Sequence, residues 1–161
     1  MDLDPYRPFE YGASEFDEPR PGWLRLTLTR PKKWNPLPQE MHDRLPALFA
    51  QIADDRSVEA FILRGSGKIF SSGGDVTQGM QNRHAGEVVE MHQIATRIMT
   101  RLLEIPQITM CIVNGPALGF AANLAMHFDL LVAAEHAYFK DTHTAFGAVP
   151  GDGASYMWLL F

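Results

Sequence analysis

Residues 114–153 read NGPALGFAANLAMHFDLLVAAEHAYFKDTHTAFGAVPGDG. The stretch combines two Gly-rich turns, a short helix pattern, an apolar strand and a polar pair formed by His143 and Asp152. An enzyme that binds an oxyanion with backbone amides and moves protons with side chains needs backbone freedom beside polar chemistry. We therefore expect the rest of the chain to be organised around these residues.

The hydrophobic pattern outside this stretch predicts strands that alternate with helices. Some segments alternate apolar and polar side chains or are apolar throughout, as strands are, and others repeat apolar residues with helical spacing. Because short apolar strands joined by helices are typical of parallel sheets, the sequence predicts an α/β fold. Strands are expected at residues 23–29, 59–64, 108–113, 129–134 and 138–139, and helices at 38–53, 84–104, 118–127 and from 154 onward.

Three local features carry further expectations. Residues 1–22 contain four prolines among acidic side chains and are predicted to be an irregular N-terminal arm, separate from a core domain over residues 23–161. Pro46 interrupts the first helix pattern and is expected to kink or break that helix. The inner face of the second long helix is predicted to carry Val88, Met91, Ile94, Ala95, Ile98, Leu102 and Leu103.

Length and composition exclude several classes of protein. At 161 residues with 46% apolar side chains, the chain is long enough for one core. Its single cysteine, Cys111, lies in the apolar run ITMCIV, so an internal disulfide is impossible and a buried thiol in a reducing, cytoplasmic setting is expected. We expect no leader or membrane segment, and the net charge of −5 argues against nucleic-acid binding.

The two Gly-rich turns are candidates for an oxyanion site. Gly73 and Gly74 follow a predicted strand and precede Asp75, which is expected to cap a short helix, and Gly119 follows the next strand. Two strand-to-helix turns of one α/β sheet lie at the same edge, where ligands of such sheets bind. Gly pairs in loops are more often simple turns, so the residues nearby decide the interpretation.

Polar residues near these turns favour a functional site over simple turns. A lone histidine is more often structural, and an aspartate between glycines is often a turn former. Together, downstream of two anion-binding turns, His143 and Asp152 are predicted to be a proton-transfer pair. The turn that carries Arg30, Lys32 and Lys33, with Arg64 and Lys68 in another loop, is either solvated surface charge or a patch for a phosphorylated ligand.

Four motifs in order resemble one family. The segments TLTRPKKWNPL, IFSSGGDV, NGPALGFAANLAMHFDLLVAAEHAYF and FGAVPGDG are similar to the crotonase superfamily, also called the enoyl-CoA hydratase/isomerase family, over residues 23–161. The resemblance implies a spiral ββα core, an acyl-CoA substrate whose thioester oxygen lies between two backbone amides, and assembly as trimers or hexamers. It implies no metal and no cofactor beyond the CoA of the substrate. Family members continue into a C-terminal helical region beyond this point.

The resemblance also assigns roles to individual residues. The two oxyanion amides fall on Gly74 and Phe120, and the two glutamates of the typical hydratase fall on Asn123 and His143. Asn123 can orient water or substrate but cannot act as a general base. Asp152 falls where some relatives place a catalytic aspartate. The residues that the resemblance implies for binding substrate or CoA are Arg30, Lys32, Lys33, Ser72, Gly73 and Gly119.

Three functions stay open at this level. The first is a hydratase-like lyase or isomerase that acts on an acyl-CoA through an enolate. The spacing of His143 and Asp152 also resembles the 6-oxocamphor hydrolase branch, which cleaves carbon–carbon bonds of cyclic β-diketones, although Ala121 lies near that branch's further histidine. The third is a non-catalytic assembly or binding module. The apolar end, residues 155–161, predicts either a truncated chain or a partner subunit that covers it.

Overall fold

This computed structural model describes residues 1–75, 85–147 and 149–160. The elements are β1 Ser14–Arg20, β2 Trp23–Leu28, α1 Gln39–Asp54, β3 Ala60–Gly65, α2 Ala85–Leu103, β4 Ile108–Val113, β5 Ala117–Leu118, α3 Phe120–Ala125, β6 Leu130–Ala133, β7 Phe139–Lys140 and α4 Ala154–Met157. The main sheet has five strands in the order β1-β2-β3-β4-β6. Strand β1 is antiparallel to β2, and the other neighbours are parallel, which confirms the predicted α/β class. Strands β5 and β7 form a separate parallel pair.

Helix α1 runs through Pro46 without a break. The expectation of a break at Pro46 is therefore wrong, and the alternative expectation of a kink stays a prediction. A proline inside a helix removes one backbone hydrogen bond, but Leu45 and Leu48 on either side are almost completely buried in the main hydrophobic cluster and hold the helix in place. The buried stripe is the one expected from the periodicity: Met41, Leu45, Leu48, Phe49 and Ile52.

Helix α2 buries a narrower face than predicted. Ile98, Met99 and Leu102 are buried, whereas Leu103 is 67% exposed. Ile98 and Leu102 are four residues apart and share one side of a helix, and Leu103 lies about 100° further round. The expectation of an inward Leu103 is therefore wrong. Residues 76–84, including the helix start predicted after Asp75, and the side chain of Val88 lie outside the described residues.

Residues 1–22 belong to the sheet and the core. Strand β1 pairs with β2, and Tyr6, Phe9 and Phe16 are buried in the main hydrophobic cluster. The prediction of an irregular arm is wrong for Ser14–Arg20. Pro19 is compatible with a strand there because β1 is at the edge of the sheet and its pairing with β2 is irregular between Asp17 and Arg20, a position where proline is tolerated.

The centre of the sheet contains the thiol. Cys111 on β4 is fully buried, as expected, and burial raises the pKa of its thiol well above the usual value. At the other end of the fold, Tyr156, Leu159 and Leu160 expose most of their apolar surface. Within the described ranges, no helix combines the length and the apolar character that a membrane crossing requires.

Candidate active site

The first Gly-rich turn follows β3 and lies against the entry to α1. The N–H of Leu37 donates to Gly73 O at 2.8 Å, and the N–H of Asp75 donates to Leu37 O at 2.9 Å. In a parallel bridge of this kind the residue between the two bonding positions points its own N–H to the opposite side. The N–H of Gly74 therefore points away from Leu37.

The second turn begins α3. Gly119 adopts φ +51°, and Phe120 is the first residue of the helix. The first N–H groups of a helix have no acceptor inside it, so the N–H of Phe120 is directed out of α3. All six residues of α3 are buried, which fixes the position of this amide.

The two turns meet backbone to backbone. A Cβ atom on Gly73 would lie 2.7 Å from Leu118 O and 3.2 Å from the backbone nitrogen of Phe120. Gly73 also adopts φ +88°, in the left-handed region that favours glycine. The structure thus brings the predicted oxyanion amides onto adjacent turns, and their role in binding a substrate oxygen stays a prediction.

The imidazole ring of His42 lies beside Phe120, where the two Gly-rich turns meet. His42 on α1 packs on Phe120 with ring centroids 4.4 Å apart, and a Cβ atom on Gly74 would lie 3.4 Å from His42 Cε1. The sequence analysis missed His42, because a half-buried histidine beside the apolar stripe of α1 has no local signal. Its neighbours are 32 or more positions away along the chain.

The predicted polar residues Asn123, Asp152 and His143 form one connected group. Asn123 on α3 is fully buried, and its Nδ2 donates to Asp152 Oδ2 at 2.7 Å. His143 Nε2 lies 3.7 Å from the same oxygen. Asp152 is 3% exposed, and its Oδ1 is buried and accepts no hydrogen bond from the described residues. A buried carboxylate oxygen without a donor is costly unless a ligand or water supplies one.

His143 lies between two carboxylates. Its Nδ1 is 2.9 Å from Asp141 Oδ1, which also accepts the His143 backbone N–H at 2.7 Å. Because a carboxylate only accepts, this contact places the ring proton on Nδ1 and directs Nε2 towards Asp152. With the ring proton on Nδ1, the Nε2 atom faces Asp152 Oδ2 with its lone pair. Asp141 was missed by the sequence analysis, although Asp two residues before His is a known turn pattern.

Two glycines shape the loop that presents Asp152. Gly153 adopts φ +85°, and a Cβ atom there would lie 2.9 Å from His127 Nε2. A Cβ atom on Gly151 would overlap the ring of His92 on α2. The loop therefore packs closely against both α2 and the residues after α3. Trp158, which the sequence analysis did not single out, donates its Nε1–H to Asn123 Oδ1 at 2.8 Å.

The basic turn lies beside the first Gly-rich turn. Its short helical turn Pro31–Lys33 is joined to the loop after β3, because Asn35 Nδ2 lies within hydrogen-bond distance of Ser66 O, Ile69 O and Phe70 O. The N–H of Ser72 donates to Trp34 O at 2.8 Å. Lys32, Lys33 and Lys68 are all exposed, and Arg30 and Arg64 are partly buried.

The family is decided by a match over most of the chain. A family model described as enoyl-CoA hydratase/isomerase matches residues 20–159. The chain belongs to the enoyl-CoA hydratase/isomerase family. This confirms the resemblance to the crotonase superfamily, whereas the likeness to the 6-oxocamphor hydrolase branch stays a hypothesis.

Members of the enoyl-CoA hydratase/isomerase family with known names differ in reaction. The chain is 31% identical to the 1,2-epoxyphenylacetyl-CoA isomerase of Escherichia coli, over 86% of this chain and 53% of that protein. It is 35% identical to probable 3-hydroxyisobutyryl-CoA hydrolase 3 of Arabidopsis thaliana, over 81% of this chain and 35% of that protein. The chain thus spans about half or less of these curated relatives.

A solved structure confirms the crotonase fold. The enoyl-CoA hydratase of Bacillus anthracis superposes with a TM-score of 0.81 at 24% identity, over 91% of this chain and 57% of that one. At this identity the likeness concerns the fold alone. Among the described residues, no group of three or more His, Cys, Asp or Glu side chains could hold a metal ion.

Proposed function

We propose that this chain carries the oxyanion site and the proton-transfer residues of an enzyme that acts on an acyl-CoA thioester through an enolate. The observation that carries the proposal is the buried Oδ1 of Asp152, which lacks a donor among the described residues. Family membership and relatives named for CoA substrates support the substrate class.

In this mechanism the N–H groups of Gly74 and Phe120 bind the thioester oxygen. Negative charge that develops on that oxygen is stabilised by both donors, and loss of one such donor costs about 2.7–4 kcal/mol in the transition state. Asn123, which binds Asp152, lies three residues after Phe120, or roughly 4.5 Å along the axis of α3. The carboxylate is therefore held about one turn of helix from the oxyanion site.

Asp152 Oδ1 is the general base of the proposal. It removes a proton from the substrate or from a water molecule and keeps that proton at Oδ1, while His143 donates a separate proton from Nε2 to the substrate. Asn123 binds the ionised carboxylate and takes no proton itself. No glutamate pair is needed in this scheme, because a single aspartate and a histidine divide the two proton transfers.

The test is the turnover of a panel of enoyl-CoA thioesters by Asp152→Asn. Loss of the conjugated thioester absorbance follows hydration, and we expect kcat to fall at least about 100-fold with little change in KM. Asp54→Asn, at an exposed position near the end of α1, is the matched control. Undiminished turnover by Asp152→Asn would refute the role of this residue.

The runner-up is a retro-Claisen hydrolase of β-dicarbonyl compounds. It is favoured by one observation, the position of His143 between Asp141 and Asp152, because a histidine oriented by a carboxylate can activate water. Cleavage of cyclic 1,3-diketones, without turnover of any enoyl-CoA, would favour it. Binding of CoA without either activity would instead indicate a non-catalytic module.

A homo-oligomer, either trimer or hexamer, and a cytoplasmic location are part of the same proposal. Light scattering on the purified chain measures the first. The exposed apolar side chains at Tyr156, Leu159 and Leu160 are consistent with coverage by a neighbouring subunit.

A further inference from the structure

The carboxamide of Asn123 is held at both ends by one short segment of the chain. Asp152 accepts from its Nδ2 at 2.7 Å, and Trp158 donates to its Oδ1 at 2.8 Å. These two residues are six positions apart, one before α4 and one directly after it. The polar atoms of the Asn123 side chain therefore both have partners on residues 152–158.

Helix α4 aims the Trp158 ring at Asn123. Ala154 is 1% exposed and faces the core, and the N–H of Trp158 donates to Ala154 O at 3.1 Å. Residues four apart lie on the same face of a helix. Trp158 is consequently on the inner face, although 37% of its surface remains exposed.

The two contacts permit only one orientation of the amide. An indole N–H can only donate, and a carboxylate without its proton can only accept. A flipped carboxamide would set its oxygen against Asp152 and its NH₂ against Trp158, which breaks both hydrogen bonds at a fully buried position. The chemistry of the two partners thus selects the observed orientation.

The orientation of Asn123 decides which oxygen of Asp152 is reactive. Oδ2 receives the Asn123 N–H and faces His143, so Oδ1 is the oxygen left for a substrate proton. We propose that Trp158 is a positioning residue that holds the Asn123 carboxamide in the orientation that leaves Asp152 Oδ1 available as the base. This inference rests on the proposed function of Asp152.

Trp158→Phe keeps an aromatic ring and removes the N–H. We expect kcat on the best enoyl-CoA to fall between about 10- and 100-fold with KM unchanged, because misplacement of a catalytic group affects the reacting geometry. Trp23→Phe, which removes an indole N–H at the start of β2, is the matched control and should keep wild-type kcat. Circular dichroism and the melting temperature establish that each variant is folded.

A double-mutant cycle separates positioning from general packing. If Trp158 acts through Asn123, then Trp158→Phe should have no further effect on kcat in an Asn123→Ala background. Additive losses would mean that the ring only supports the fold and would overturn the inference. If Trp158→Phe does not fold, Trp158→His, which retains a ring N–H, takes its place and is expected to retain more activity than Trp158→Leu.

The outcomes also separate the two proposals. Loss of activity in Asp152→Asn with wild-type kcat in Trp158→Phe would overturn only the role of Trp158. Undiminished activity in Asp152→Asn would overturn the proposed base and the positioning role with it. A fall in kcat in both variants, together with a non-additive double-mutant cycle, supports both the base and the positioning residue.

Discussion

Gly73 shows how much of the site depends on a single missing side chain. Its φ of +88° lies in the left-handed region, and a Cβ atom there would meet Leu118 O at 2.7 Å. That oxygen belongs to the backbone, which cannot move aside without moving a turn. The close approach of the two Gly-rich turns therefore depends on glycine at this position.

We predict that Gly73→Ala lowers both stability and activity. Overpacking against a rigid backbone and a positive φ should reduce the free energy of unfolding by about 1–3 kcal/mol, as measured by urea denaturation. Gly86→Ala is the control, since nothing lies within 4 Å of a Cβ there and the residue is in α2. That variant should be more stable than the wild type by about 0.5–1 kcal/mol, and equal effects at both sites would contradict the argument.

The sequence pointed to some residues of the candidate site and gave no sign of others. Gly74, Phe120 and Asp152 were predicted because they lie in Gly-rich turns and match positions of the family that the chain resembles. His42 and Trp158 were missed because their importance comes from neighbours distant in sequence. A histidine in a helix or a tryptophan in an apolar run carries no local sign of the partner it meets.

The sequence predicted helix α1 correctly but did not predict strand β1. The apolar stripe of α1 matched its helical period, since burial of one face is repeated at every turn. Strand β1 was missed because Pro19 and the acidic residues around it are typical of loops. An edge strand tolerates both, because one of its sides has no neighbour.

Lys32 and Lys33 in the basic turn are predicted to contribute to the binding of acyl-CoA. Replacing Lys32 and Lys33 together with alanine should raise KM for an acyl-CoA by about three- to tenfold, since each exposed charge contributes up to about 1 kcal/mol. The same variant should turn over an acyl-pantetheine, which lacks the nucleotide phosphates, with unchanged KM. The increase in KM should shrink at high salt.

The control for the basic turn is Arg56→Ala, which removes an exposed charge after α1. Its KM for acyl-CoA should match that of the wild type. An equal rise in KM for acyl-pantetheine in the lysine variant would show that the turn affects the acyl site rather than the phosphates.

A hydrogen bond connects the N-terminal residues to the end of α1. The hydroxyl of Tyr6, a fully buried side chain, donates to Asp55 Oδ2 at 2.7 Å. Burial and the bond to Asp55 raise the pKa of Tyr6 far above its ordinary value. Hydrogen bonds from Ser57 and then from Tyr6 hold the pKa of Asp55 below its usual value.

The lowered pKa of Asp55 predicts that the stability of the protein depends on pH. A carboxyl with a lowered folded-state pKa stabilises the protein fully above its unfolded-state pKa of about 3.9, and that contribution is lost as the pH falls through the lower folded-state value. Asp55→Asn should therefore lose less stability than the wild type when the pH is lowered from about 6 to 3. Urea unfolding midpoints at several pH values measure this loss of stability. Asp54→Asn, which removes a neighbouring exposed carboxylate, is the control and should lose as much stability as the wild type.

The two hydrogen bonds on the Asn123 carboxamide also set an order of events during synthesis. They join residues 29 and 35 positions apart, whereas strands β1 to β4 end at Val113. Because synthesis runs from the N-terminus, strands β1 to β4 leave the ribosome before the loop that carries Asp152 does. The carboxylate proposed as the base therefore reaches Asn123 only after those four strands have become available for pairing.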